Sequence, residues 1–334
     1  MAARIAVVTP VFNDWECFAA LVAELSERFA GSGTSFDVIA LDDGSIEPFD
    51  EGAIVLRPGG AVASVEVLPL ATNLGHQRAI AIGLCAAVEL DEAESVLVMD
   101  CDGEDRPSDI ERLLEASREN PARIVFAKRA RRSEGLAFRA CYALYKGLFR
   151  LLTGRAISFG NFALIPMAAA RRLVHTADLW NNVAAAILRS RVPYVAVPTE
   201  RGHRYAGSSN MNPIALIMHG LSAMSVYSDL IFVRVLVTAG AVAALSVAGI
   251  AVVAAIRFAT DLAIPGWASM IVGDLAIILM QTTVLMIATS LMMLTLRSSR
   301  PMVPLVDSRA YLGERRTRLY APAKLEVVPA RALP

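Results

Sequence analysis

The four cysteines of this chain, Cys17, Cys85, Cys101 and Cys141, form no CxxC pair, which suits a reducing compartment rather than a disulfide framework. Net charge is also absent. Thirty-two Lys and Arg against 32 Asp and Glu leave no basic excess for phosphates along a groove, which excludes a nucleic-acid binder. There is no internal repeat and no low-complexity segment. The first residues, MAARIAVVTP, lack the basic flank and apolar stretch of a signal peptide, so residues 1 to about 230 are expected to stay cytoplasmic.

Apolar residues are in excess. They make up 55% of the 334 residues, and the mean hydropathy of +0.49 is more than a soluble core needs. The excess sits in two late runs, Val235 to Ile256 and Leu275 to Leu296, each 22 residues long and free of Asp, Glu, Lys and Arg. Each is long enough to cross a hydrocarbon core of about 30 Å. The short connection RFATDLAIPGWASMIVGD makes them a membrane hairpin. After Leu296 there are eight basic residues (Arg297, Arg300, Arg309, Arg315, Arg316, Arg318, Lys324 and Arg331) against three acidic ones, whereas the connection carries Arg257 with Asp261 and Asp274. The positive-inside rule then places both termini in the cytoplasm, on a multi-pass protein of the inner membrane.

The first two hundred residues alternate short apolar runs with helical patterns, the signature of an α/β domain. RIAVVTP, FDVIALDDGS, SVEVLPL, SVLVMD and RIVFAKR read as strands, with DWECFAALVAELSERFAG, HQRAIAIGLCAAVEL and PSDIERLLEASREN as helices between them. Pro107 suits a first helical turn and Asp109 the helix dipole. The polar link RGHRYAGSSNMN precedes a stretch with Ile214, Ile217, Leu221 and Met224 on one helical face, expected at the membrane surface. The expected organisation is an α/β domain over 1–212, an amphipathic helix over 213–230, a transmembrane hairpin over 231–297 and a basic cytoplasmic tail over 298–334.

Polar clusters follow the strand-like runs, where open α/β sheets bind ligands. In TPVFND, Pro10, Phe12 and Asp14 can wall a base or ribose, or Asn13 or Asp14 can simply cap a helix. In LDDGS, Asp42 and Asp43 can accept from a ribose hydroxyl and a base N–H, or the residues can form a tight turn closed by Gly44. In NLGHQRAIAIG, Asn73 and Gly75 shape a turn into a helix where His76 or Arg78 can face a ligand, and His76 is given no catalytic role. The densest cluster is SVLVMDCDGEDRP, with Asp100, Asp102, Glu104 and Asp105 within six residues. Like charges so close raise one another's pKa, and a divalent cation turns that repulsion into binding. Asp100 and Asp102 can reach one ion and Glu104 can add a third oxygen. Such hard oxygen ligands select Mg²⁺ or Mn²⁺. Beyond them, KRARRSEG places Lys128, Arg129, Arg131 and Arg132 where guanidinium forks suit phosphate oxygens.

The order PVFND, LDDGS, NLGHQRAIAIG, DCDGEDRP, RRSEG, GNFAL and RYAGSSNMN, followed by two spans, resembles the family 2 glycosyltransferases of GT-A fold. Within them it is similar to the membrane-anchored polyprenyl-phosphate hexose transferases related to dolichyl-phosphate mannose synthase. The resemblance implies a GT-A, Rossmann-like nucleotide-sugar-binding domain. By position, Pro10, Phe12, Asp14, Asp42, Asp43 and Asp100 would contact the nucleotide, and Asp100, Asp102 and Glu104 the metal and diphosphate. Arg129 would meet a donor phosphate; Arg131, Arg132 and Ser133, with Arg201, Arg204 and Ser209, would face the acceptor phosphate. The implied catalytic set is Asp100, Asp102, Arg129, Arg131 and Arg132. The implied partners are a nucleotide diphosphate sugar, a polyprenyl phosphate and the membrane, with room for a homo-oligomer. Where many relatives read GDF this chain has Asn161, and an amide cannot act as a base. A phosphomonoester needs none, since its second pKa is about 6. Sugar transfer to a glycolipid or glycan hydroxyl, and a catalytically silent nucleotide-sugar binder, are the alternatives. A processive polysaccharide synthase fits less well, because there is no QxxRW and there are only two spans.

Overall fold

Apolar side chains line both faces of residues 3–11 and 34–42, and a strand apolar on both faces belongs inside a parallel sheet covered by helices on each side. The computed structural model describes residues 3–129, 136–155, 160–207, 213–260, 264, 266–313 and 316–321. In chain order the elements are β1 (Ala3–Val11), α1 (Trp15–Arg28), β2 (Thr34–Asp42), β3 (Val62–Pro69), α2 (His76–Leu90), β4 (Ser95–Val98), α3 (Pro107–Glu119) and β5 (Ile124–Arg129). There follow α4 (Leu136–Thr153), β6 (Ala163–Pro166), α5 (Met167–Leu173), α6 (Val183–Ser190), β7 (Tyr194–Thr199) and α7 (Pro213–Ser225). The last are α8 (Ser228–Ala259), α9 (Trp267–Ser298), α10 (Pro304–Asp307) and β8 (Thr317–Tyr320).

The chain divides into two compact units. The first, Met1–Cys141 with Ile157–Val226 and Met302–Pro334, holds one eight-stranded sheet in the order β7-β5-β6-β4-β1-β2-β3-β8. β4, β1, β2 and β3 run parallel, β6 lies antiparallel between β4 and β5, and β8 is antiparallel on β3. The period of two sorts the side chains. Ala6, Val8, Ile39 and Leu41 face α2, α5 and α6, while Ile5, Val7, Phe36 and Val38 face α1 and α3. The domain is α/β, as the alternation of strands and helices implies. Within residues 298–334, expected as a tail, Thr317–Tyr320 pair with β3, Thr317 opposite Val67 and Tyr320 opposite Ser64. In α7, Ile217, Met218 and Leu221 are exposed, whereas Ala223 is buried.

The second unit, Tyr142–Ala156 with Tyr227–Pro301, contains α8 and α9. Both are 32 residues long and apolar enough to cross a membrane, and each contains one of the two expected spans. They are not core helices, since most of α8's most apolar stretch and all of α9's lie unburied within the protein. Small residues line their contact: Ala239, Ala243 and Ser246 of α8 are buried, and a Cβ placed on Gly249 would lie 3.0 Å from Leu275 Cδ1. Close approach over small residues is how apolar helices pack in lipid.

Candidate active site

Parallel strands deliver their carboxyl ends to one edge, and the register fixes what meets there: Val11 lies opposite Asp42, and Asp42 opposite Pro69. The loops leaving β1, β2, β3, β4 and β5 therefore carry Phe12 to Asp14, Asp42 and Asp43, Leu70 to His76, Asp100 to Asp105, and Arg129 to the same edge.

The first two loops are tied together at Asn13, whose φ of 52° is left-handed; its N–H donates to Ser45 Oγ at 3.0 Å and its Oδ1 accepts from the Ile46 N–H at 2.8 Å. Asp14 holds the N-cap position of α1 but makes no capping bond. Its Oδ2 instead accepts from Arg204 Nη2 at 2.8 Å, while Arg204 Nη1 donates to Asp102 Oδ2 at 2.7 Å. One guanidinium thus spans carboxylates from the ends of two strands. Phe12 is exposed and Asp42 half-buried, with Asp42 Oδ1 accepting from the Ser45 N–H at 2.8 Å. Asp43 is buried, and its oxygens accept from the amides of Leu74 (2.7 Å) and Gly75 (2.9 Å), so it holds the turn into α2. Pro10 offers its carbonyl oxygen to the Cys101 thiol at 3.6 Å.

The loop after β4 is the most highly charged. Asp102 Oδ1 accepts from the Glu104 N–H at 2.9 Å. Glu104 gives one oxygen to Arg201 Nη2 at 2.6 Å and the other to Arg129 Nη1 at 3.3 Å; Arg129 Nη2 continues to Asp105 Oδ1 at 3.1 Å. Asp105 is buried, and its Oδ2 accepts from the Asp100 N–H. Asp100 Oδ1 is buried without a hydrogen bond, although His76 Nε2 lies 3.3 Å away. His76 Nε2 also meets Asn161 Nδ2 at 3.1 Å. Removal from water, and then the charge of Asp102, push the Asp100 carboxyl up to about 7. Burial, and then the charge of Asp100, do the same to Asp105, also to about 7. Asp102 is raised by burial as well, against the Glu104 amide and Arg204. Burial also works against the Glu104 charge, but the Arg201 hydrogen bond and three guanidinium charges outweigh it and hold that carboxyl low.

Several expected groups therefore converge: Asp14, Asp100, Asp102, Glu104, Arg129, Arg201 and Arg204 form one linked array with Asp105. Arg201 and Arg204, expected at an acceptor phosphate, are engaged with these carboxylates. Among the described residues no three of His, Cys, Asp and Glu are grouped to ligate one ion, and both Glu104 oxygens are held by arginines. The donor set nonetheless fits a hard divalent cation, since Asp100 Oδ1 is a buried carboxylate oxygen without a hydrogen-bonding partner. Arg131, Arg132, Ser133 and Ser209 lie outside the described residues. Asp105 is expected only as one of four crowded carboxylates, and His76 only as a group able to face a ligand; the pairing of His76 with Asn161, 85 residues away, has no local signal.

The chain thus combines a mixed α/β domain, with a charged array at the carboxyl edge of its strands, and two long apolar helices. The model of glycosyl transferase family 2 matches residues 6–173, half of the chain, and the chain belongs to that family, with a domain of the GT-A kind. It is 28% identical over 159 residues to undecaprenyl-phosphate 4-deoxy-4-formamido-L-arabinose transferase of Edwardsiella ictaluri (strain 93-146), covering 46% of each chain. To the protein of the same name from Klebsiella pneumoniae (strain 342) it is 23% identical over 221 residues, 64% of each. The chain thus spans between about half and just under two thirds of the length of the curated relatives it matches. Among solved structures it is similar to mannosyl-3-phosphoglycerate synthase from Rubrobacter xylanophilus, with 14% identity, a TM-score of 0.46, and coverage of 67% of this chain and 72% of that one.

Proposed function

We propose that this chain transfers a sugar, a hexose in the reading its motifs give, from a nucleotide diphosphate donor to a polyprenyl phosphate at the cytoplasmic membrane face, with inversion and with Mg²⁺ or Mn²⁺. The observation that carries the proposal is the charged array: carboxylates from the ends of β1 and β4, one with a buried oxygen lacking a hydrogen bond, interleaved with three guanidinium groups. Family membership and the names of the relatives support the transfer and the lipid phosphate acceptor.

Asp100 and Asp102 would hold the cation, which supplies charge neutralisation for the leaving diphosphate. The chain's own residues do the rest. Arg204, on Asp14 and Asp102, and Arg129, on Glu104 and Asp105, each balance carboxylates that would otherwise repel an anionic donor. Phe12 presents an exposed ring beside the turn of Asp42, a surface for a base or ribose. Asn161 bonds His76 and supplies no base, which an acceptor oxygen of a phosphate dianion does not need. Arg131, Arg132 and Ser133 are the groups we assign to that acceptor. The exposed apolar residues Ile217, Met218 and Leu221 of α7 are assigned to the lipid surface.

Purified protein in detergent with Mg²⁺ or Mn²⁺, undecaprenyl phosphate and a panel of nucleotide-linked hexoses and pentoses tests the proposal. A lipid-linked sugar is expected with at least one donor. Absence of turnover with every donor, alongside measurable nucleotide-sugar binding, would instead support a silent binder.

A further inference from the structure

The segment that follows the second long helix adds β8 to the sheet beside β3 and contacts the turn that leads from β3 into α2. The Leu305 N–H donates to Val174 O at 3.0 Å, fixing α10. Pro304 and Ser308 are buried, and Leu305, Tyr311 and Leu312 pack on the core beneath α2. Two backbone bonds then clamp the strand-to-helix turn: the Gly313 N–H donates to Pro69 O at 2.7 Å, and Tyr311 O accepts from the Ala71 N–H at 2.8 Å. β8 continues along β3 from this point. The Tyr311 ring lies 5.2 Å from that of Trp180, and the Arg78 guanidinium of α2 lies 5.7 Å from the same indole.

The clamped turn is the one that serves the site. It runs from Leu70 to His76 and is short, so its start and end are mechanically coupled. At its far end Leu74 and Gly75 donate to Asp43, and His76 follows beside Asp100 and Asn161. The glycine at the opposite corner shows how little slack there is: a Cβ on Gly44 would lie 2.9 Å from the Asn73 N atom. We infer that residues 302–313, with β8, form a positioning strap, in which Tyr311 and Gly313 hold the Leu70–His76 turn so that Asp43 and His76 stay in register with the donor site. Tyr311 and Gly313 are positioning residues that act through the turn and touch no substrate. The inference rests on the donor-site reading above only for its consequence on nucleotide binding; its structural content stands apart from that reading.

The test uses the full chain in detergent, with Tyr311→Ala combined with Gly313→Val. A side chain at position 313 meets Pro69 O at 3.1 Å from its Cβ, so Gly313→Val opposes that clamp directly, while Tyr311→Ala keeps its carbonyl oxygen but removes the ring whose contact with Trp180 seats it. Tyr311→Ala alone serves should the pair fail to fold, and Tyr311→Phe, which keeps the ring, is the control. Amide hydrogen exchange is expected to accelerate at least tenfold at Leu74 and Gly75 while amides of β1 and α1 keep wild-type rates. The KM for the donor is expected to rise severalfold with kcat nearly unchanged, and Tyr311→Phe is expected to match wild type. Wild-type protection at Leu74 and Gly75 despite faster exchange at Ala71 and Gly313 would overturn the strap. Equal acceleration throughout the domain would overturn it too, by making the segment a general stabiliser. If wild-type protein binds no nucleotide sugar, the donor reading fails and the exchange data alone judge the strap.

Discussion

Asp102 is held from two sides, by an amide of its own loop on Oδ1 and by Arg204 on Oδ2, so its orientation does not depend on its charge alone. Asp102→Asn preserves the shape and one hydrogen-bond acceptor. It should leave the protein folded and membrane-bound but lower sugar transfer by roughly 10²-fold or more, the scale of losing a principal stabiliser of leaving-group charge. A radiolabelled-donor assay on the purified variant checks this. The pair behind it titrates differently. Asp100 and Asp105 have carboxyls at about 7 against an ordinary 3.8, so between those values the folded protein keeps protons that the unfolded chain releases. Stability from this source is therefore full below pH 3.8 and is lost as pH rises through about 7. In EDTA the Tm should fall over that interval, and Mg²⁺ should restore it at the alkaline end by taking the place of the proton. Asp105→Asn should flatten the EDTA profile, and differential scanning fluorimetry across pH reads all three.

The loop between β7 and α7 reaches the acidic loop through two glycines. Gly103 has a φ of 87°, and a Cβ on Gly202 would lie 2.0 Å from Gly103 O. The Gly202 N–H donates to Glu104 O at 2.9 Å and the Tyr205 N–H to Asp102 O at 3.0 Å. This close approach is what brings Arg201 and Arg204 onto carboxylates about a hundred residues earlier. Gly202→Ala must push the two loops apart. It is expected to cost about 1–3 kcal/mol of stability by overpacking, measured as a lower Tm, and to weaken donor binding by at least tenfold in a titration. The elements with local signals were legible. α2 begins at His76 and ends at Leu90 as its pattern indicates, because Asn73 and Gly75 start it and its apolar face repeats at helical spacing. β6 and β7 were not, since four residues such as Ala163–Pro166 carry too little periodicity and acquire their pairing from β4 and β5. The acidic half of the site was visible as a cluster in sequence. The arginines opposite it were visible only as residues, because their partners are set by tertiary approach.

At the scale of the whole molecule, α8 and α9 are joined by residues 260–266, a connection that the positive-inside rule would put on the non-cytoplasmic side. Cys17, Cys85 and Cys101 are buried, which favours labelling of introduced thiols. A membrane-impermeant maleimide added to intact cells should modify Thr260→Cys and leave Ser299→Cys unmodified until the membrane is opened; the reverse pattern would invert the topology. The pairing of Thr317 with Val67 joins positions 250 residues apart across both long helices. A ribosome makes β3 before α8 and α9 and β8 after them, so the growing chain carries an unpaired sheet edge while the two helices are made. Completion of the soluble fold is thus deferred until the membrane segments have been synthesised, and a protein cut before residue 300 would be released with that edge bare and prone to pair with other chains.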